Sequence, residues 1–316
     1  MKFERVSFAV LAAVLTPGAA WGCACGCGVF DVATESMLPQ GPGWLLFEEF
    51  DYMDQNMNWS NGRPAPAANN GDAEISTEFT TLGLQYMFNT KWGFQVELPY
   101  DVRHYEATGG GSTTWGSFGD LRVQGIYTGF FPDMSAGVTF GLKLPTGNFS
   151  HDDSTSTSLL DRDTELGTGS TDILLGGFYR HPLNWVTPGL YWFAQAQLDA
   201  PVLIQGGYRP GVELDTSLGL YYQGLSLGKV KITPVAQAIP SERTSDTGSE
   251  ASGGVNDPPV GISNSGYQRV LLSPGIEFDI HPVMIYADAE FDVVQYSRGN
   301  QLMAPVLYKV VVSYSF

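Results

Sequence analysis

Three cysteines stand close together near the start of the chain, in Cys23-Ala-Cys25-Gly-Cys27. A bridge between residues two apart is strained and leaves one thiol over, so this spacing does not predict a disulfide framework. Three interpretations fit it. The thiolates could hold a soft metal such as Cu(I) or zinc, they could bridge covalently to a periplasmic metal or redox partner, or Cys23 could be lipidated. Beyond such a metal, the sequence indicates no cofactor.

A serine and a histidine offer a second kind of chemistry, since a Ser–His pair can act as nucleophile and base. His104 and Ser117 are predicted to face outward on neighbouring strands, as in an outer-membrane lipid hydrolase. No orienting third residue or motif accompanies them. We therefore expect no enzyme, and the hydrolase is only a distant alternative.

The N-terminus reads as an export signal. Lys2 and Arg5 precede a short apolar run and then small residues, which predicts a cleaved signal peptide over residues 1–22. Residues 23–42 are then a periplasmic segment, and residues 43–316 form the main domain. The net charge of −17 argues against nucleic acid as a partner. No later apolar run reaches the 18 residues that a membrane helix needs.

The main domain alternates in polarity with a period of two, as β-strands do. In residues 92–103 the even positions from Trp92 to Val102 are apolar, whereas Gln95, Glu97, Asp101 and Arg103 are polar. Such segments suit a wall with water on one face and lipid on the other. The sequence predicts an all-β, transmembrane, antiparallel up-and-down β-barrel of about twelve strands. The segments are 43–54, 75–89, 91–106, 117–131, 134–144, 171–182, 188–200, 208–222, 228–239, 267–281, 283–296 and 301–316.

Short and long connections alternate between these segments, which predicts short periplasmic turns and longer outer loops. The longer ones are 55–74, 107–116, 145–170, 201–207, 240–266 and 297–300. The last segment alternates up to a terminal Phe316 and resembles the strand by which the barrel-assembly machinery recognises its clients. Localisation in the bacterial outer membrane follows, with its lipid and that machinery as partners. Aromatic side chains should form interfacial girdles: Trp44, Tyr86, Phe88, Trp92, Tyr127, Phe130, Phe131, Tyr191, Trp192 and Tyr314.

Two stretches carry a family resemblance. They are Gly119-Asp120-Leu121 with Leu142-Lys143-Leu144-Pro145-Thr146-Gly147, and Leu166-Gly167-Thr168-Gly169-Ser170-Thr171-Asp172-Ile173-Leu174-Leu175-Gly176. Together they resemble the family of outer-membrane transporters named for the meta-pathway of phenol degradation. The resemblance spans about residues 75–316 and implies a small barrel that transports small organic solutes.

The polar face should line the lumen. Its predicted charged residues are Glu97, Asp101, Arg103, Asp120, Arg122, Lys143, Asp172, Arg180, Asp199, Glu213, Asp215, Lys231, Arg269, Glu277, Asp279, Asp288, Glu290, Asp292 and Lys309. Acids outnumber bases, so a path here would favour cations or neutral solutes over anions. We expect an outer-membrane channel for passive passage of small solutes. The alternative is a closed structural barrel, its charges paired across strands, that docks a periplasmic partner through Cys23, Cys25 and Cys27.

Overall fold

The computed structural model describes residues 38–39, 41–66, 72–108, 110–151, 162–248 and 265–316. The predicted signal peptide and the three cysteines lie outside these residues. Within them, no helix is long and apolar enough to cross a membrane. The strands, in chain order, are β1 (Gly43–Gln55), β2 (Met57–Ser60), β3 (Arg63–Pro64), β4 (Asp72–Met87), β5 (Trp92–Ala107), β6 (Ser112–Phe118), β7 (Leu121–Tyr127), β8 (Ala136–Leu144), β9 (Ser170–Pro182), β10 (Leu190–Ile204), β11 (Glu213–Tyr222), β12 (Leu225–Leu227), β13 (Val230–Arg243), β14 (Tyr267–Ile280), β15 (Val283–Ser297), β16 (Asn300–Met303) and β17 (Val306–Ser315).

The main sheet closes on itself. The long strands pair antiparallel in chain order, and β1 pairs with β17 so that Phe50 lies opposite Val310. Of the fourteen strands in this sheet, β6 and β7 both pair with β5 as two segments of one crossing, and β12 continues β11 along β13. Twelve crossings therefore form an up-and-down barrel, which confirms the predicted fold class. Closure lets neighbouring strands satisfy the backbone groups that lipid cannot.

Each predicted segment corresponds to one crossing, but two predicted loops contain strands. In residues 107–116, β6 folds back on β5 as a hairpin. In residues 55–74, β2 and β3 form a small second sheet with β16. We call this end of the barrel the long-loop end and the other the short-turn end.

Side chains alternate between the two faces of the wall. On β1, Phe47 and Asp51 are buried inside, whereas Leu46 and Phe50 are exposed outside. The outer face is apolar over most of its height, as a lipid-facing band must be. Glu48 departs from this pattern, because it is exposed outside between Leu46 and Phe50.

A bulge interrupts the fourth crossing. Tyr100 pairs with Phe118 and Glu97 pairs with Arg122, so three steps along β5 match four along β6 and β7. The extra residue lies at Gly119-Asp120 and reverses which parity faces inward. Consequently Trp115 on β6 and Ile126 on β7 are both buried inside.

Inside the barrel, aromatic rings lie against glycines of neighbouring strands. A Cβ added to Gly83 would come 2.0 Å from the Phe47 ring, and one added to Gly137 would come 2.4 Å from the Phe178 ring. The missing side chain lets each ring lie flat on the wall, which keeps space open toward the axis. The short-turn half also holds an apolar cluster: Leu45, Phe47, Phe193, Tyr221, Val235, Tyr286 and Val311.

A second apolar cluster fills part of the long-loop half. It comprises Met53, Ile239, Tyr267, Leu271, Met303, Ala304 and Leu307. The sheet of β16, β2 and β3 lies at this end, held where the Gln55 side chain donates to the Leu302 carbonyl at 3.1 Å. The sequence predicts a polar lumen. The structure instead shows apolar clusters and charged side chains at different levels along the barrel axis.

Candidate functional site

The structure places most of the predicted lumen residues on the inner face. Buried there are Asp101, Arg103, Asp120, Lys143, Asp172, Asp215, Arg269, Glu277, Asp288, Glu290 and Lys309. Half-buried with the same inward direction are Glu97, Arg122, Arg180, Asp199, Glu213, Asp279 and Asp292. Lys231 differs, because its side chain is 71% exposed at the short-turn rim, 3.3 Å from Asp279.

On one side of the lumen, two bases lie among three acids. Lys143 on β8 lies 2.5 Å from Asp172 and 2.6 Å from Asp199. Arg122 on β7 lies 3.9 Å from Glu97. These pairs cross neighbouring strands, so each buried charge meets an opposite charge without leaving the wall.

On the other side, acids exceed bases. Lys309 on β17 lies 3.2 Å from Glu49 and 3.5 Å from Asp51. Asp288 and Glu290 on β15 point toward the same lysine from the next strand, since Asp288 pairs with Lys309 in the sheet. Four carboxyl groups thus lie around one ammonium, so acidic side chains outnumber basic ones on this wall.

Three neutral donors also bind this acidic group, and the first of them is the Gln237 amide, which donates to Asp288 Oδ2 at 3.3 Å. The Ser273 hydroxyl and the Tyr286 hydroxyl each donate to Asp288 Oδ2 at 2.7 Å. These hydrogen bonds hold the carboxylate at the inner wall between the two apolar clusters, where its charge faces the lumen.

Several functional residues were missed from the sequence. Glu49 and Asp51 were not assigned because Glu48 and Glu49 are adjacent, so the charge pattern of β1 does not reveal which parity faces inward. Arg243 and Glu165 were placed in loops, yet both are buried in the barrel mouth. Only the structure shows that Phe47 pairs with Gly83, so the sequence of β1 carries no signal for its inward face.

A loop from the long-loop end folds into the mouth. The described parts of this loop, residues 145–151 and 162–169, connect β8 to β9. The Arg103 guanidinium donates to the Thr164 carbonyl at 2.6 Å, and the Asp120 carboxylate accepts from the Gly147 backbone N–H at 2.9 Å. The His151 ring stacks on Trp115 at 4.5 Å. The loop narrows the lumen at this level.

The loop between β10 and β11 also reaches the mouth. The Tyr208 hydroxyl donates to Asp246 Oδ2 at 2.9 Å, and Arg243 lies 2.9 Å from Asp246 Oδ1. Burial raises the pKa of Tyr208 well above its ordinary value, so the hydroxyl stays protonated and keeps donating. This contact ties the β10–β11 loop to the end of β13 beside the inward-folded loop, whose Arg162 guanidinium lies 5.1 Å from the Tyr208 ring.

Three cavities follow one another along the lumen. The outer cavity, of about 140 Å³, lies under the inward-folded loop among charged side chains that include Asp101, Arg103 and Lys143. The middle cavity, of about 60 Å³, is lined by Phe47, Gln85, Arg122 and other side chains. Arg122 belongs to both walls, so it stands between the two cavities.

The inner cavity opens at the short-turn end. Its volume is about 450 Å³, and its wall includes Leu45, Asp279 and His281. It shares Leu38 and Gln85 with the middle cavity. Leu38 is buried, so the segment that precedes β1 enters the barrel from this end and narrows it.

The predicted outward position of Ser117 is wrong, and the distant alternative of a Ser–His pair fails with it. His104 faces outward and its Nδ1 lies 2.7 Å from Thr114 Oγ1, whereas Ser117 pairs with the inward-facing Asp101. The parity argument failed because the bulge at Gly119-Asp120 reverses the faces within this crossing. The two side chains therefore lie on opposite sides of the wall and cannot act together.

The aromatic girdle has one error. Trp44 stacks on Tyr86 at 4.2 Å on the outer face near the short-turn end. Tyr191, predicted to join the girdle, instead stacks on the buried Tyr221 at 4.9 Å inside the lumen. Its neighbour Trp192 faces outward, and consecutive strand residues face opposite ways. Over the described ranges, no group of three or more His, Cys, Asp or Glu is arranged to hold a metal ion.

Comparison with known proteins supports the fold. No protein-family model matches the sequence, and none of the curated proteins is similar to it in sequence. An outer-membrane channel from Pseudomonas putida F1 superposes with a TM-score of 0.63 at 11% identity, over 90% of this chain and 100% of that one. The β-domain of the Bordetella autotransporter BrkA gives 0.53 at 13% identity, over 87% and 100%. This chain has the fold of outer-membrane β-barrels, and membership of the phenol meta-pathway family is not shown.

Proposed function

We propose that the barrel is a channel for passive passage of small solutes across the outer membrane. The observation that carries the proposal is the row of three cavities, in which each cavity shares wall residues with the next. Ion pairs and apolar clusters occupy the remaining lumen, so the path is narrow. The short-turn end faces the periplasm in this proposal.

The electrostatics favour cations and neutral solutes over anions. Glu49, Asp51, Asp288 and Glu290 outnumber Lys309 on one wall, and carboxylates lining a narrow pore attract cations. Small organic or aromatic compounds suit the inner face, because aromatic side chains such as Phe47 and Phe178 line the middle cavity. The motif resemblance at residues 117–180 points to the same class of solute.

Planar-bilayer recording in a KCl gradient tests both the channel and its preference for cations. We expect discrete conductance steps and a reversal potential that favours K⁺. Glu49→Gln combined with Glu290→Gln should reduce that preference, whereas Glu106→Gln, on the outer face, should leave it unchanged. Anion selectivity of the wild-type protein would contradict the charge argument.

A closed barrel is the second candidate, favoured by the extent to which ion pairs and apolar clusters fill the lumen. An absence of conductance from folded protein would support it. In that case, the next hypothesis to test is that a periplasmic metal or redox partner docks through Cys23, Cys25 and Cys27, or that these cysteines hold a soft metal. Mass spectrometry of the mature N-terminus with metal analysis distinguishes metal, partner and lipid, and also locates the cleavage site predicted after residue 22.

A further inference from the structure

We infer that the middle cavity is a binding station for small, uncharged, hydroxyl-rich solutes, that is, short linear polyols. The inference deepens the proposed channel function and rests on it. Its basis is a row of glutamines on three adjacent strands. Gln85 on β4 pairs with Gln95 on β5, and Gln95 pairs with Gln124 on β7. All three side chains line the middle cavity.

Two of these amides have an oxygen without a partner among the described residues. Gln85 is 4% exposed and Gln124 is 5% exposed, and neither Oε1 atom has a hydrogen-bond partner among the described residues. A buried amide oxygen without a donor is costly, so a water or solute donor should occupy the cavity. A hydroxyl group suits an amide row, because it donates to Oε1 and accepts from Nε2.

The ionic groups of the cavity already have partners. Glu97 accepts from the Gln95 amide and lies 3.9 Å from Arg122. Glu49 accepts from Lys309 at 3.2 Å. A charged solute would have to compete with these internal pairs in a poorly hydrated space, whereas an uncharged solute leaves them intact.

Apolar side chains also line this cavity. Phe47, Ile126 and Phe178 are buried and border it beside the amide row. A linear polyol has hydroxyls along one edge and C–H groups along the other, which matches a cavity lined by both amides and aromatic rings. The cavity of about 60 Å³ has room for about four waters. A cavity of this size therefore favours linear solutes, which can pass end-on, and disfavours branched or cyclic solutes.

Osmotic swelling of proteoliposomes tests the inference. Erythritol and the zwitterion glycine are compared after subtraction of the leak measured in protein-free liposomes. Erythritol should enter faster than glycine, although it is the larger molecule. The double variant Gln85→Met with Gln124→Met keeps side-chain length and removes both amides. Loss of two hydrogen bonds should slow erythritol entry by about tenfold, with KCl conductance retained.

Gln195→Met is the matched control, because Gln195 is a buried inward glutamine on β10 outside the cavity wall. It should leave erythritol entry unchanged. Unchanged erythritol entry in the double variant would overturn the inference, as would glycine entering the wild-type barrel as fast as erythritol. The wild-type comparison decides the matter even if the double variant does not assemble. Absence of both conductance and swelling would instead refute the channel itself.

Discussion

Asp120 and Thr168 lie 48 residues apart and are joined by two hydrogen bonds. Asp120 Oδ2 accepts from the Thr168 backbone N–H at 2.9 Å and from the Thr168 hydroxyl. The other carboxylate oxygen accepts from the Gly147 N–H at 2.9 Å. The bulge at Gly119-Asp120 aims this carboxylate into the mouth, so one side chain fixes both described ends of the inward-folded loop.

Asp120→Asn should release that loop. Asparagine keeps the size but loses the charge, and a hydrogen bond to a charged group contributes about 1.5–3 kcal/mol. We expect the free energy of unfolding to fall by about 2 kcal/mol and the single-channel current to rise and become noisier. Bilayer recording and urea unfolding in vesicles measure these effects.

Asp133→Asn is the control for this variant, because Asp133 lies in an exposed short turn and its hydrogen bonds are local, among them one from the Ser135 N–H at 3.2 Å. Its current should match the wild type. A quiet, unaltered current in Asp120→Asn would show that the loop is held by other contacts.

Gly83→Ala should disturb the inner wall, because the added Cβ would lie 2.0 Å from the Phe47 ring. Overpacking of this kind costs about 1–3 kcal/mol. Phe47→Leu should restore most of the loss when combined with Gly83→Ala. Gly177→Ala serves as the control, since its Cβ would come no closer than 3.4 Å to any neighbour. Equal unfolding midpoints for the two alanine variants would refute this packing.

The barrel and its twelve crossings were predictable because lipid imposes one rule on every strand, namely that apolar side chains facing outward alternate with side chains facing the lumen. Residues 92–103 show this rule clearly, and β5 follows it over its length. Where both faces carry similar residues, the rule gives no direction. On β1 the adjacent Glu48 and Glu49 face opposite sides, and only the pairing with β4 and β17 decides between them.

Irregular features set the remaining limits on prediction. The bulge at Gly119-Asp120 reverses parity without a change in composition, which is why Ser117 was assigned to the wrong face. Tyr191 was assigned outward because girdle aromatics and lumen aromatics share one residue type. Arg243 ends β13, which continues past the predicted end of that segment at residue 239. Glu165 lies in a polar segment whose inward folding depends on distant partners such as Arg103, and no local pattern encodes such contacts.

Lys309→Met should destabilise the barrel strongly. Lys309 is 3% exposed and lies between Glu49 and Asp51, so its removal leaves carboxylates without a cation. Breaking a buried ion pair from one side costs about 3–5 kcal/mol. Adding Glu49→Gln and Asp51→Asn should recover most of the stability in urea unfolding.

Lys231→Met is the comparison for Lys309, because it removes a lysine that is 71% exposed and lies 3.3 Å from Asp279. An exposed pair contributes about 0–1 kcal/mol. If the two lysine variants lost similar amounts of unfolding free energy, the lumen around Lys309 would have to be fully hydrated.

Glu48→Leu should stabilise the barrel in a bilayer. Glu48 is exposed on the outer wall, paired with Leu82 and Val312, which are themselves 51% and 44% exposed. A charged side chain on the lipid face costs up to about 2–4 kcal/mol, with less for a carboxylate. We therefore expect a gain of about 1–2 kcal/mol in urea unfolding from phospholipid vesicles. Glu106→Leu, outward but near the long-loop end, should change stability little. A loss of stability in Glu48→Leu would show instead that a donor from another molecule meets this carboxylate on the outer wall.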